Sequence, residues 1–328
     1  MKKIAVIYGG MSTEHDVSII SGGNIIKNLD TNKYKIIPIE IRKDGIWMDT
    51  RGKEIKDIVK YLKNIDVVFP VLHGLYGEDG TIQGMLELAK IPYVGCKVLS
   101  SSVCMDKVYS KIIFEKAGIK QAKYIYLKNE NVYVNEKMDE LKLQNDEIVK
   151  LVQEKLGFPV FVKPSNSGSS VGITKANDGK ELIKSIEEAS VYDKKILIEQ
   201  AIIGKEVECA VLGNENPEAS TVGQILSAEE FYSYNAKYKN SESKVIIPAY
   251  ISKEKIEEIR KTAIKAFEAV DGKGLSRVDF FIKEDTNEVY INEINTMPGF
   301  TEISMYPKLW EASGIKYKEL LDKLIELA

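Results

Sequence analysis

The ten residues from Lys163 to Gly172 (Lys-Pro-Ser-Asn-Ser-Gly-Ser-Ser-Val-Gly) carry more potential chemistry than any other segment of this chain. An apolar run over 158–162 ends in a lysine and a proline. Small or flexible residues follow, and then a second apolar run over 171–174. A hairpin of this composition exposes backbone N–H groups and hydroxyls at its tip and keeps one lysine at its base. Closely spaced donors and one cation neutralise a polyphosphate without bulky side chains. The segment is not a Walker A loop, since no Gly-Lys-Ser/Thr opens a helix here, nor a dinucleotide-binding Gly-x-Gly-x-x-Gly. A flexible Ser/Gly turn between two strands fits the same residues.

A second group lies near the C-terminus. Arg277 and Asp279 fall in a strand-like run over 275–282, and Glu293 and Asn295 in another over 289–295. Residues two apart in a strand project from one face. Asp279, Glu293 and Asn295 therefore form a set of hard oxygen ligands, and Mg²⁺ bound by one or two carboxylates plus substrate phosphate is the usual pattern for ATP chemistry. Arg277 would share their face and stabilise charge developing on a transferring phosphoryl group. A hairpin with an exposed acidic face is the plainer account of any one such pair.

The elements that must hold these residues alternate strand and helix from the start. Strands are expected over 2–8, 34–41, 66–71 and 91–94, and helices over 17–29, 54–63 and 81–90. That order indicates a parallel sheet flanked by helices, with ligands at the carboxyl ends of the strands, where Gly9-Gly10 and His73-Gly74 fall. A single helix follows over 101–117, with residues 100–102 as its caps, so that Lys107 sits mid-helix. Residues 129–145 read as a polar surface excursion, followed by a helical run to Leu156. Beyond Phe158 the pattern is α+β, with strands over 195–200, 206–212 and 221–226 and a helix over 178–189. Residues 230–243 lack hydrophobic periodicity and read as a mobile loop. The longest helix covers 252–270, capped by Ser252, and two more close the chain over 304–312 and 318–328.

Composition excludes several classes. The 46 Lys+Arg and 49 Asp+Glu of these 328 residues balance to −3, which gives no global attraction for nucleic acid or an anionic membrane. No window approaches the ~20 apolar residues of a membrane helix. Residues 1–3 resemble the start of a signal peptide, but the apolar stretch after them is too short and ends at Gly9-Gly10. Three cysteines without a CxxC favour a reducing cytosol, and two histidines argue against zinc. A cytoplasmic enzyme is expected.

The glycine-rich hairpin, the Arg277/Asp279 strand and the segment Asn292-Glu293-Ile294-Asn295-Thr296-Met297-Pro298-Gly299 resemble the ATP-grasp enzymes and, within them, the D-alanine–D-alanine ligases. Three further motifs narrow the match: Tyr8-Gly9-Gly10 through Ser18, with Glu14 and His15; Leu72-His73-Gly74 through Gly80; and Tyr234-Asn235-Ala236-Lys237-Tyr238. The resemblance runs from about residue 3 to beyond Pro307, nearly the whole chain. It implies an N-terminal parallel-sheet, Rossmann-like domain over 1–95. Two α+β domains of the ATP-grasp fold would follow, over 96–199 and 200–328.

The resemblance also implies roles. Glu14 would orient the first D-alanine, linked by hydrogen bonds to Ser169 and to Tyr238 in the mobile loop, which together shut the site against water. Lys107, Lys163 and, on loop closure, Lys237 would meet the ATP phosphates. Glu199 would make adenine-side contacts, Ile202 a backbone hydrogen bond to the base, and Glu206 contacts to the ribose hydroxyls. Arg277 and the Gly299 amide would stabilise the oxyanion of the tetrahedral intermediate, and Ser304 would bind the second D-alanine's carboxylate unless it is a plain helix cap. His73 is either structural or close to substrate or phosphate. Two Mg²⁺ ions, with Mn²⁺ as a substitute, would sit on Asp279, Glu293 and Asn295.

The implied reaction joins two D-alanines through a D-alanyl phosphate, for cell-wall precursor synthesis, in a homodimer. D-serine is the alternative second substrate. The Lys237-Tyr238 pair argues against D-lactate, although Ser233 stands where many relatives carry an acid in that loop. A silent nucleotide-binding scaffold would have lost Arg277, Asp279 or Glu293, and all are present.

Overall fold

The structure, a computed structural model, describes residues 1–226 and 244–328. Its strands form three sheets, spanning residues 2–71, 124–200 and 204–295.

In the first sheet β1 (Lys2–Gly9), β2 (Tyr34–Ile41), β3 (Trp47–Met48) and β4 (Val67–Val71) lie in the order β3-β2-β1-β4, with β1 parallel to both β2 and β4. Ile4, Ala5, Val6 and Ile7 are all fully buried, as a parallel strand covered on both faces requires. Helices α1 (His15–Asn28), α2 (Ile58–Leu62) and α3 (Thr81–Ala89) connect the strands or follow them. The chain passes from β1 to one side and returns for β4 on the other. A crevice therefore opens beyond the carboxyl ends of β1 and β4. Two expectations shorten here. The helix over 54–63 shrinks to α2, because Asp57 caps it by accepting the Lys60 N–H at 2.9 Å. The strand over 91–94 reduces to one bridge between Val68 and Tyr93, since Pro92 offers a carbonyl but no N–H.

The expected single helix over 101–117 is two helices, α4 (Val98–Met105) and α5 (Lys107–Lys116), broken at Asp106. Asp106 adopts an extended backbone and its side chain accepts the N–H groups of Val108 and Tyr109, which caps α5. Lys107 is therefore the first residue of a helix, not a mid-helix residue. The second sheet runs β7-β6-β5-β10-β8-β9. It is built from β5 (Tyr124–Lys128), β6 (Val132–Val134), β7 (Glu140–Lys142), β8 (Val160–Pro164), β9 (Thr174–Ala176) and β10 (Lys195–Gln200), backed by α6 (Asn145–Lys155) and α7 (Gly179–Ser190). The polar excursion thus carries two strands at one side of the sheet, β6 and the edge strand β7. β7 is exposed at every residue, so no hydrophobic alternation marks it.

The third sheet has the order β13-β12-β11-β14-β15, from β11 (Gly204–Gly213), β12 (Glu218–Leu226), β13 (Lys244–Ile246), β14 (Gly274–Lys283) and β15 (Val289–Asn295). Helix α8 (Lys253–Ala269) packs on it, capped by Ser252 as expected, and α9 (Met305–Ala312) and α10 (Tyr317–Glu326) close the chain. The apolar cluster of the first sheet is continuous with α9 and α10. Phe300 is fully buried at that junction and meets Phe69 edge-on, with ring centroids 5.7 Å apart. This packing fixes the segment between β15 and α9 against the crevice.

Candidate active site

Glu14 stands directly before α1, in the crevice beyond β1, and is buried. Ser169, at the tip of the β8–β9 hairpin, donates its hydroxyl to Glu14 Oε1. A Cβ added to Gly168 or to Gly74 would lie 2.4 or 2.6 Å from Glu14 Oε2, so only glycine lets both backbones close on this carboxylate. Ser169 and Ser170 have φ of 48° and 60°, left-handed backbone that costs energy in a non-glycine residue and recurs at ligand clamps. The hairpin expected from sequence is present, with Val160 paired to Ala176.

His73 follows β4. Its Nδ1 lies 3.0 Å from the Met297 carbonyl, which can only accept, so Nδ1 carries the proton. Nε2 then accepts from Ser21 Oγ at 3.1 Å, and Ser21 Oγ accepts the Phe300 N–H at 3.2 Å. Burial lowers the pKa of His73 and keeps the ring neutral. Both ring nitrogens are engaged in tying the crevice to the 297–300 segment. Glu78, which sequence reasoning quoted within its motif but did not single out, accepts the Gly74 N–H at 2.8 Å and the Met297 N–H at 3.3 Å. Burial, reinforced by the charge of Glu14, pushes its carboxyl up to about 8. The signal was a carboxylate between glycines just past a strand end.

The cationic side is assembled from α5, β8 and β10. Lys107 Nζ donates to the Ser167 carbonyl at 2.5 Å and lies 3.7 Å from Glu293 Oε2. Lys163 reaches Asn292 Oδ1 at 3.5 Å and forms an ion pair with Glu199. Lys111 Nζ, one turn after Lys107 and almost fully buried, lies 2.9 Å from the other oxygen of Glu199. Burial alone would raise the Glu199 pKa, but the two lysines outweigh it and hold the carboxyl down to about 2. The carboxylate expected on the adenine side therefore lies between two ammonium groups. Lys111, absent from the expectations, shares a helix face with Lys107 through its i,i+4 spacing. Ile202 lies on the short connector from β10 to β11 and Glu206 near the start of β11, at the seam between the second and third sheets.

On the third sheet Asp279 faces Glu293 across the β14–β15 pair, and Arg277 faces Asn295. Arg277 donates to both oxygens of Asp279 at 2.7 Å and lies 3.0 Å from Glu208 Oε2. Asn295 Nδ2 donates to Asp279 at 3.1 Å. The face predicted from period-two spacing is thus assembled, with Glu208 as an added member. Its donors are carboxylate and amide oxygens, which suit a hard cation. Among the described residues no three His, Cys, Asp or Glu side chains gather to enclose a metal, so water and phosphate oxygens would complete the shell. Ser304 begins α9 but makes no capping bond with its side chain. Its Oγ instead accepts the Thr301 N–H at 3.0 Å and lies 2.7 Å from Thr301 Oγ1, close against Gly299. Lys237 and Tyr238, like Ser233, lie outside the described residues.

Three segments distant in sequence thus meet around one cleft: the β1–α1 turn, the β8–β9 hairpin and the β14–β15 face with its following loop. Family models described as D-ala D-ala ligase N-terminus and C-terminus match residues 3–62 with 50–96 and residues 113–326. A D-alanine--D-alanine ligase from Clostridium acetobutylicum is 51% identical, over 100% of this chain and 98% of that protein. Among solved structures, the D-Ala:D-Ser ligase VanG from Enterococcus faecalis superposes with a TM-score of 0.86 at 38% identity, covering 99% of both chains. The D-alanine-D-alanine ligase from Coxiella burnetii gives 0.84 at 35% identity, covering 99% of this chain and 93% of that one. With models matching most of its length, this chain belongs to the D-alanine–D-alanine ligase family.

Proposed function

We propose that this protein uses ATP to join two D-alanines, and that it does so in three units over 1–95, 96–199 and 200–328. The observation that carries the reading is the convergence of Glu14, Ser169 and the Arg277/Asp279/Glu293 face on one cleft. The triphosphate lies under the glycine-rich hairpin, met by Lys107 and Lys163 and by Lys237. The base sits at the 200–206 connector, near Glu199, Ile202 and Glu206. Asp279, Glu293 and Asn295 would hold Mg²⁺, two ions at full occupancy or Mn²⁺ in their place, which would screen phosphate charge.

Glu14 binds the ammonium of the first D-alanine and turns its carboxylate toward the γ-phosphorus. Carboxylate oxygen attacks, ADP leaves, and a D-alanyl phosphate remains. The amine of the second D-alanine, its carboxylate held at Ser304, then attacks the carbonyl carbon and phosphate leaves. Charge on the carbonyl oxygen in between is met by Arg277 and the Gly299 N–H. The proton that the attacking amine loses leaves with the departing phosphate, a base in its own right. His73 holds the crevice in shape. A hydrolysable acyl phosphate needs a closed site, and Tyr238 would complete the closure begun by Ser169 and Glu14.

D-serine as second substrate is not favoured, since identity to D-alanine--D-alanine ligases reaches 51% against 38% for the D-Ala:D-Ser ligase. Assembly as a homodimer and action in the cytoplasm belong to the same reading, and no described helix is long and apolar enough to cross a membrane. The test is phosphate release with ATP, Mg²⁺ and D-alanine, with D-serine and D-lactate as competitors. D-alanyl-D-alanine should dominate; chiefly D-alanyl-D-serine would reassign the second substrate, and no phosphate with any D-amino acid would end the proposal.

A further inference from the structure

The break between α4 and α5 places Asp106 where three segments touch. Its side chain is buried and does far more than cap a helix. Oδ1 accepts the N–H groups of Val108 and Tyr109 at 3.1 and 3.2 Å and the Ser165 hydroxyl at 2.6 Å. Oδ2 accepts from the Lys195 ammonium and from Asn166 Nδ2 at 3.4 Å. Around this carboxylate the start of the glycine-rich hairpin is held residue by residue. Ser165 O accepts the Lys107 N–H at 3.0 Å, and Ser165 N donates to Lys195 O at 2.9 Å. Asn166 donates its backbone and side-chain N–H groups to Asp193 at 2.8 and 3.0 Å. Ser167 O accepts from Lys107 Nζ at 2.5 Å.

We infer that Asp106 is a positioning residue for nucleotide binding, locking the first turn of α5, with Lys107, to the root of the glycine-rich hairpin, so that lysine and loop donors meet one phosphate chain in fixed register. This deepens the reading of the hairpin as a phosphate cradle and rests on it. A cap alone would be served as well by Ser, Thr or Asn. What needs the carboxylate is its second set of partners, because an ionised acceptor can hold a hydroxyl, an amide and an ammonium together. Burial acts to raise the Asp106 pKa, and the bonds from Lys195 and Ser165 overcome it, so the group is held ionised below the usual carboxylate range.

Asp106→Asn keeps the cap and removes the charge. Titration of the full-length protein with MgATP, without amino acid, reads the effect directly. The expected result is a loss of affinity of about tenfold, the scale of one charge-assisted hydrogen bond. Leu324→Ala, a core variant in α10 remote from the hairpin, controls for lost stability and should bind MgATP like the parent. The double variant Asp106→Asn/Lys195→Met removes the unpaired ammonium and should stay weak. Three results would each overturn the inference. These are MgATP affinity within about twofold of the parent in Asp106→Asn, equal weakening in Leu324→Ala at matched melting temperature, or recovery in the double variant. A parent protein that binds MgATP yet forms no dipeptide would sink the proposed reaction while leaving this test intact.

Discussion

Ser169 donates its hydroxyl to Glu14 across 155 positions of sequence, joining the tip of the glycine-rich hairpin to the turn after the first strand. The bond makes phosphate-side and amino-acid-side elements share one carboxylate. Ser169→Ala should therefore lower kcat/KM for D-alanine about tenfold to a hundredfold, the range expected when a buried charged acceptor loses its partner. MgATP affinity measured without D-alanine should change little. Steady-state kinetics beside ATP titration checks this, and equal losses on both sides would mean that the hydroxyl serves the loop alone.

Glu199 lies between Lys111 and Lys163, and removing its charge leaves two ammonium groups facing each other in a buried site. Glu199→Gln should destabilise the protein by about 3–5 kcal/mol, the cost of breaking a buried pair from one side. The pH dependence follows from a folded pKa of about 2 against an ordinary 4.5. The group's stabilisation is complete above 4.5 and is lost as pH falls toward 2. Urea unfolding of parent and variant should therefore show a gap that is wide at neutral pH and narrows in acid.

Glu78 has the opposite sign. Its folded pKa of about 8 lies above the ordinary 4.5, so the folded state holds a proton that the unfolded chain has released. Its contribution is present below 4.5 and declines as pH rises toward 8. Glu78→Gln, which cannot ionise, should lose less stability than the parent over that window. Melting temperatures of the two proteins between pH 5 and pH 8 measure it. Parallel curves would show that Glu78 is ionised throughout.

Much of this site was legible because strands and turns write local signals. Arg277, Asp279, Glu293 and Asn295 share a face by simple alternation, and the register of β14 on β15 delivers it. The hairpin's small residues announce a donor-rich loop. The break at Asp106 was not legible, because neither glycine nor proline interrupts residues 98–116 and the capping carboxylate draws its partners from Ser165 and Lys195, far along the chain. Lys111 was hidden for the same reason: a lysine on a helix reads as solvated until tertiary packing buries it against Glu199. Glu78 stands unremarked inside its motif, because the burial and the nearby Glu14 charge that raise its pKa exist only in the fold.

The central claim is that ATP activates a carboxylate by phosphorylating it. D-alanine carrying ¹⁸O in both carboxylate oxygens tests it most directly, with phosphate and dipeptide analysed by mass spectrometry after one turnover. The attacking oxygen becomes the bridge of the acyl phosphate and departs with phosphorus when the amine displaces it. The account predicts one ¹⁸O in each released phosphate, one fewer ¹⁸O in the new peptide bond's carbonyl group than in the starting carboxylate, and ADP as the nucleotide product. Unlabelled phosphate, or AMP and pyrophosphate as products, would contradict it.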